Sequence, residues 1–193
     1  CDLTDFVSVD RAVREAAPGR HLDYVFHLAS QSYVMASYEY GAATINANVL
    51  GTFNLLEACR QEAPGVVFHN CGSSEGYGRP EENPITERTP MNPLSPYAVS
   101  KVGADAFAGM YANAYKMRVV RTRAFTHSGP RRGRVFFDSD FCWQIVQMER
   151  GLQEKVLHVG NLTSVRTVCD VRDMVRAYRL AVDKCTPGVP YNV

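Results

Sequence analysis

Short runs of adjacent apolar residues alternate along the chain with longer stretches in which apolar residues return every three or four positions. "LDYVFHLA" (Leu22 to Ala29), "VVFHN" (Val66 to Asn70) and "RVVRTRAF" (Arg118 to Phe125) are of the first kind and predict buried strands. Between them, "TINANVLGTFNLLEACRQEA" puts Ile45, Val49, Phe53 and Leu56 on one helical face and ends before Pro64 and Gly65. "YAVSKVGADAFAGMYANAY" sets Val102, Ala106, Phe107, Met110 and Ala114 along another. Strand, helix, strand, helix at this spacing predicts a parallel sheet with right-handed crossovers, a doubly wound α/β domain of the Rossmann-like kind. After Phe125 the rhythm loosens. A polar loop, "THSGPRRGRVFFDSD", precedes a helix "DFCWQIVQMERG" and an apolar stretch "KVLHVGN". A second loop, a helix "DVRDMVRAYRLAVDK" with Asp170 as its N-cap, and "YNV" entering a strand follow.

Composition leaves this picture in place. At 193 residues, 46% hydrophobic and 21% charged, the chain is ordinary for one soluble globular domain. Lys+Arg 21 against Asp+Glu 20 gives a formal charge of +1, and the only basic cluster is "GPRRGR" (Gly129 to Arg134). A nucleic-acid stripe and a polybasic membrane patch are therefore not expected. Six cysteines without a Cys-x-x-Cys pair suggest free thiols in a reducing cytoplasm. Neither a membrane-spanning apolar run nor a signal segment is visible. The first residue is Cys1 rather than Met, so it is not expected to be the first of the gene product.

Open parallel sheets bind ligands beyond the carboxyl ends of their strands. The loops after His27, Asn70 and Ala124 should share that rim, and they carry "LASQS", "CGSSEGYG" and "THSGPRRG". Tyr97 and Lys101 lie four apart at the start of a helix, so their side chains leave one face a turn apart. An ammonium beside a phenol favours the phenolate and makes Tyr97 a better base. Ser73, at the end of the preceding strand, would hydrogen-bond a substrate hydroxyl or carbonyl while Tyr97 exchanges its proton. Tyr and Lys at this spacing also occur on helices with no chemistry; the Ser-rich strand end upstream favours the functional reading. His27 and His69, inside strand patterns, are read as structural, and no metal site is expected.

"HLASQS", "NANVLGTFNLLEA", "GSSEGYG", "SPYAVSK" and "VGNLTSVRTVCDVRDMVRAY", in this order, resemble the extended short-chain dehydrogenase/reductase superfamily of sugar-nucleotide enzymes. The resemblance covers almost the whole chain. Within it, "THSGPRRG" is most similar to the loop of GDP-mannose 4,6-dehydratases, while "GSSEGYG" and "VGNLTSVR" also resemble GDP-4-keto-6-deoxymannose reductases. The resemblance implies Ser73, Tyr97 and Lys101 as the catalytic Ser, Tyr and Lys, and Glu75 as the acidic residue dehydratases use. It implies Asp2 and Leu3 beside the adenine, and Leu28, Ala29 and Ser32 beside the cofactor. His127 and Arg132 match the nicotinamide-phosphate loop. Ser74, Asn161 and Arg166 fall where the family meets its sugar nucleotide. Taken singly, Leu28 and Ala29 would equally suit a core, and His127 and Arg132 a solvated loop.

Some positions depart from the dehydratase pattern. Ser73 stands for the usual Thr, Thr126 for an Asn, Ala43 for a Tyr, and Val168 for an aromatic residue. No Gly-x-x-Gly-x-x-Gly or Gly-x-Gly-x-x-Gly occurs, although a Rossmann half uses that turn to admit a pyrophosphate. "CDLTD" resembles the end of the family's third strand, and "YNV" falls before its C-terminal lobe. The expectation is a Rossmann-like domain truncated at both ends, with substrate-binding segments beginning at about 131–170. The resemblance implies NADP (alternatively NAD), a nucleotide-sugar substrate, and a homo-oligomer, dimer or tetramer, paired through helices 43–63 and 97–115. GDP-mannose 4,6-dehydratase is the leading activity. A 4-keto reductase, an epimerase, and a non-catalytic piece lacking the phosphate loop are the alternatives.

Overall fold

The structure, a computed structural model, describes residues 1–193. Contacts divide it into two units, residues 1–125 with 176–193, and residues 126–175.

The first unit is built on four parallel strands, β1 (Tyr24–His27), β2 (Val67–Ser73), β3 (Arg118–Ala124) and β6 (Pro190–Asn192), in the order β1-β2-β3-β6. Central β2 carries apolar side chains to both faces, as a strand covered on both sides must. Phe68 and, beside it, Val119 join Val9, Leu56, Cys59, Ala108 and Tyr111 in one core. The alternate residues Val67 and Val120 pack with Ala181 and Val182 in another. The first core is closed by helices α1 (Phe6–Ala16), α4 (Gly51–Glu62) and α5 (Pro96–Ala114), the second by the end of α7 (Val171–Lys184). Helices thus cover both faces, the doubly wound arrangement the pattern predicts.

Several elements differ from expectation. Helix α1 was not foreseen, although Val9 and Val13, one turn apart, are both buried and Asp5 caps it by accepting the Val7 N–H at 3.1 Å. The helix expected over 43–63 is three pieces: α3 (Gly41–Ile45), a π-helical turn (Asn46–Leu50) and α4, preceded by α2 (Val34–Glu39). In α5 the buried side is not the Val102–Met110 stripe. Ala98, Ala104, Asp105, Ala108, Tyr111 and Ala112 are buried, whereas Ala106, Met110 and Ala114 are exposed. Small side chains let the helix lie close on the sheet, and Phe107 packs sideways on Phe53 with ring centroids 5.5 Å apart. Strand β2 runs past Asn70 to Ser73, because Cys71, Gly72 and Ser73 remain paired with Thr122, Arg123 and Ala124.

The second unit holds α6 (Phe137–Glu149) and a small parallel pair, β4 (Thr126–Ser128) with β5 (Val168–Asp170). "KVLHVGN" forms no strand and is exposed throughout. At the start of α7, Asp170 accepts the Arg172 N–H at 2.8 Å, the expected capping bond.

Candidate active site

Strand β2 delivers Ser73 as its last residue, and the chain turns at once into a 3₁₀ segment, Ser74–Tyr77. Ser73 Oγ caps that turn by accepting the Glu75 N–H at 3.2 Å. Ser74 is half-buried and Glu75 exposed.

The start of α5 delivers Tyr97 and Lys101. Pro96 stands at the first helical position, where a missing N–H costs nothing. Ser95 Oγ accepts the Ala98 N–H at 3.0 Å, and the Tyr97 N–H is taken at 3.1 Å by Ser37 Oγ, reaching across from α2. The free donors of the helix end are thereby used to pin the residue that carries the phenol.

The Ser73 hydroxyl and the Glu75 carboxylate both lie close enough to Tyr97 to act on its phenol, the first lowering its pKa and the second raising it. Lys101 Nζ donates to the Cys71 carbonyl at 2.6 Å. This revises the expected electrostatics. Burial raises the Tyr97 pKa, and the nearby Ser73 hydroxyl offsets only part of that. The Lys101 ammonium is turned to a backbone carbonyl, and burial lowers its own pKa against the opposing pull of Cys71 and Asp105. Tyr97 is therefore held as a neutral phenol in this arrangement.

Two buried histidines lie beneath. Burial, with Lys101 nearby, pushes both His27 and His69 down to about 4. The Thr52 hydroxyl donates to the Asn48 carbonyl at 2.6 Å and so accepts from His27 Nε2 at 2.9 Å, which places that ring's proton on Nε2. His69 Nε2 meets Thr122 Oγ1 at 2.9 Å, while its Nδ1 has no partner. Both rings are neutral structural elements, and His69 packs on Tyr178 with centroids 4.5 Å apart.

Of the residues expected beside a cofactor, Leu28, Ala29 and Ser32 follow β1 and are exposed. Leu28, at 56% exposure, is no part of a core. Asp2 Oδ1 accepts from the Thr4 N–H at 2.9 Å and the Thr4 hydroxyl at 2.8 Å, which lower its pKa. Leu3 packs on the first core, and its carbonyl accepts Asn54 Nδ2 at 2.8 Å. In the second unit, His127 lies on β4 opposite Cys169. Arg132 donates to the His127 carbonyl at 2.9 Å, pairs with Asp138 at 3.4 Å and stacks over Phe136. Asn161 Oδ1 accepts from the Thr163 N–H and hydroxyl at 2.9 and 2.8 Å, and Arg166 is exposed in the same irregular segment. Ser73, Glu75, Tyr97 and Lys101 are thus gathered in the first unit, and His127, Arg132, Asn161 and Arg166 belong to the second.

Sequence reasoning missed Asn48. It is buried in the π turn, where its Oδ1 accepts from Ser30 Oγ and the Gln31 N–H at 3.0 and 2.8 Å. Its Nδ2 donates to the Gln31 carbonyl and Ser100 Oγ, both at 2.9 Å. The loop after β1 is so tied to the helix of Tyr97 and Lys101. An amide inside an otherwise apolar helical face is the signal that could have found it. No group of three or more His, Cys, Asp or Glu is placed to hold a metal ion.

A family model described as GDP-mannose 4,6 dehydratase matches residues 1–192. The chain belongs to this family. It is 33% identical over 201 residues to a GDP-mannose 4,6-dehydratase of Vibrio cholerae, a match covering 100% of this chain and 53% of that protein. It is 35% identical over 173 residues to a GDP-6-deoxy-D-mannose reductase of Pseudomonas aeruginosa, covering 89% and 57%. The solved structure of RMD from Pseudomonas aeruginosa, complexed with NADPH, superposes with a TM-score of 0.90 at 34% identity, covering 100% of this chain and 65% of that one. The chain spans about half the length of the curated dehydratases it matches. No helix here is long and apolar enough to cross a membrane, and all six cysteines are free.

Proposed function

We propose that the protein carrying this chain is an NAD(P)-dependent nucleotide-sugar enzyme of the cytoplasm, a GDP-mannose 4,6-dehydratase that forms GDP-4-keto-6-deoxymannose. The observation that supports the reading is that β2 and its turn bring Ser73 and Glu75 to the helix start that carries Tyr97 and Lys101, Lys101 bonding the Cys71 carbonyl and Ser73 and Glu75 both lying close to the Tyr97 phenol. A base for one carbon then stands next to an acid–base pair for its neighbour.

NADP, or alternatively NAD, supplies a reversible hydride acceptor beside C4 of the sugar when bound. The residues present suit the ribose end of such a cofactor. Lys101 has three N–H groups and gives one to the Cys71 carbonyl, which leaves donors for ribose hydroxyls. Exposed Leu28, Ala29 and Ser32 stand at the carboxyl end of β1, where open sheets take ligands. Asp2 and Leu3 would border the adenine, and His127 and Arg132 the phosphates. A glycine-rich phosphate turn is not among these 193 residues.

Tyr97 takes the proton of the C4 hydroxyl through its phenol oxygen, and Ser73 holds the substrate oxygen in line. That transfer needs Tyr97 as the phenolate, which burial opposes, so the Lys101 ammonium must turn from the Cys71 carbonyl towards the phenol when substrate and cofactor bind. The C4 ketone acidifies the C5 proton, which Glu75 takes and passes to the C6 hydroxyl as it leaves as water. The hydride held by the bound cofactor would then be returned to C6 with a proton to C5, so that no outside reductant is consumed. Ser74, Asn161 and Arg166 would hold the nucleotide sugar. Met35, Tyr38, Tyr40, Val99 and Met110 are exposed on α2, the bend after it and α5, which supports a homo-oligomer.

A reductase delivering hydride to a C4 ketone is the second reading, favoured by the likeness to the Pseudomonas reductase. It needs Ser73, Tyr97 and Lys101 but no base at C5. The deciding experiment incubates the complete gene product with GDP-mannose and no added reductant. Loss of one water from the sugar nucleotide in the wild type, absent in Glu75→Gln, is the expected result. No dehydration, with reduction of the 4-keto sugar when NADPH is supplied, would move the assignment to the reductase.

A further inference from the structure

The two halves of the candidate catalytic group come from separate elements. Ser73 and Glu75 belong to the end of β2 and its 3₁₀ turn, Tyr97 and Lys101 to α5. Their spacing depends on whatever joins the turn to the helix, and one buried side chain does so.

Arg123 lies on β3 beside Gly72 and is 8% exposed. Its stem passes over Gly72, where an added Cβ would come within 3.6 Å of Arg123 Cγ. On one side, Arg123 Nε and Nη2 donate to Asp105 Oδ2 at 3.2 and 3.0 Å. Asp105 follows Lys101 by one turn of α5 and Tyr97 by two. On the other side, Nη1 donates to Tyr77 Oη at 2.9 Å and to the Glu87 carbonyl at 3.2 Å. Tyr77 closes the turn that begins at Ser74, is 1% exposed, and donates its own proton to Asn192 Oδ1 at 2.7 Å. One planar guanidinium thus spans from the helix of Tyr97 to the turn of Glu75.

Charge balance does not call for this arrangement. Arg121 already pairs with Asp105 through two bonds of 2.9 and 2.6 Å. Arg123 adds a second cation to one carboxylate, so neutralisation alone would not place it there. Its fork geometry fits a spacer between two elements.

We propose that Arg123 and Tyr77 are positioning residues that set the Ser73–Glu75 turn against the Tyr97–Lys101 helix. The assignment rests on the dehydratase reading for the chemistry that Glu75 performs. Ser73 is held by the β2–β3 ladder, whereas Glu75 lies beyond it on the turn that Tyr77 closes, so releasing Tyr77 moves Glu75 more than Ser73. Proton removal at C5 then suffers more than oxidation at C4.

The test is Tyr77→Phe in the complete gene product, which removes one oxygen and keeps the ring. A misplacement near 1 Å costs on the order of a hundredfold, so kcat for dehydration should fall about 10- to 100-fold while KM for GDP-mannose stays within about threefold. Reduced nicotinamide should accumulate in the steady state, because C4 oxidation outruns elimination. Amide exchange should rise in residues 73–78 and stay unchanged elsewhere. Arg123→Lys, which keeps the charge and loses the fork, should show the same pattern. An unchanged kcat overturns the proposal. So does a fall in kcat with no reduced cofactor accumulating, or faster exchange across the whole protein. If the wild type proves not to dehydrate GDP-mannose, the dehydratase reading fails first. The spacer is then judged on kcat for 4-keto reduction together with exchange at 73–78: a tenfold loss with local exchange supports it, and normal values in both overturn it.

Discussion

Replacing Asp105 by Asn tests the ion triad behind the active helix. Asp105 is 4% exposed and accepts four bonds, two each from Arg121 and Arg123, at 2.6 to 3.2 Å. Asn keeps the shape and one acceptor, but it leaves two guanidinium ions facing each other without a carboxylate. Removing one partner of a buried ion pair costs about 3–5 kcal/mol, because the remaining charge stays desolvated. For a domain of this size each kcal/mol moves the melting temperature by about 2–4 °C, so a fall of about 6–20 °C is expected. Arg121→Met removes one of the two cations and leaves Asp105 paired with Arg123, so it should cost less than Asp105→Asn. Combining the two should recover part of the loss, since the sites share a partner. Urea unfolding of the three variants, followed by far-ultraviolet circular dichroism, gives the values directly. The reasoning is refuted if Asp105→Asn costs under about 1 kcal/mol, or if Arg121→Met is the more damaging change.

The histidines make stability depend on pH. His27 and His69 have pKa values pushed down from 6.5 to about 4 by burial, so the unfolded chain binds protons that the folded chain refuses. Their contribution is complete above pH 6.5 and is lost as pH falls towards 4, by up to about 3 kcal/mol for each ring at 1.36 kcal/mol per unit. Urea midpoints should decline through that window, and His69→Gln should flatten the decline. Gly78→Ala should destabilise by about 1–3 kcal/mol, because Gly78 has φ +65° and an added Cβ would overlap the Asn92 carbonyl oxygen. Calorimetry checks it, and a neutral result would show that the turn after Glu75 has room the structure denies it.

What the sequence made legible was whatever depends on a residue's own neighbourhood along the chain. The strands β1, β2 and β3 announce themselves through apolar runs, and the site through Tyr97 and Lys101 four apart after Ser95 and Pro96. The π turn stayed hidden, because its cause is Asn48 reaching Gln31 on one side and Ser100 on the other, two partners far away in sequence. Helix α5 was placed correctly but turned to the wrong face. Periodicity ranks bulky residues above small ones, whereas a helix laid close on a sheet buries alanines and sends Phe107 sideways.

The same distinction explains the Tyr97 phenol. Spacing on a helix correctly places Lys101 a turn away, yet it cannot say where three rotatable N–H groups will point. The Cys71 carbonyl, supplied by another strand, captures the ammonium at 2.6 Å, and burial then sets the phenol's pKa. Arg123 carried a signal that went unused. A charged residue inside a buried parallel strand must have a partner, and Asp105 is the one acidic residue within α5. That pairing is deducible from the chain alone once the strand and the helix are accepted. It joins the two elements on which the chemistry depends, so the energetic core of the fold and the geometry of the site meet in one guanidinium.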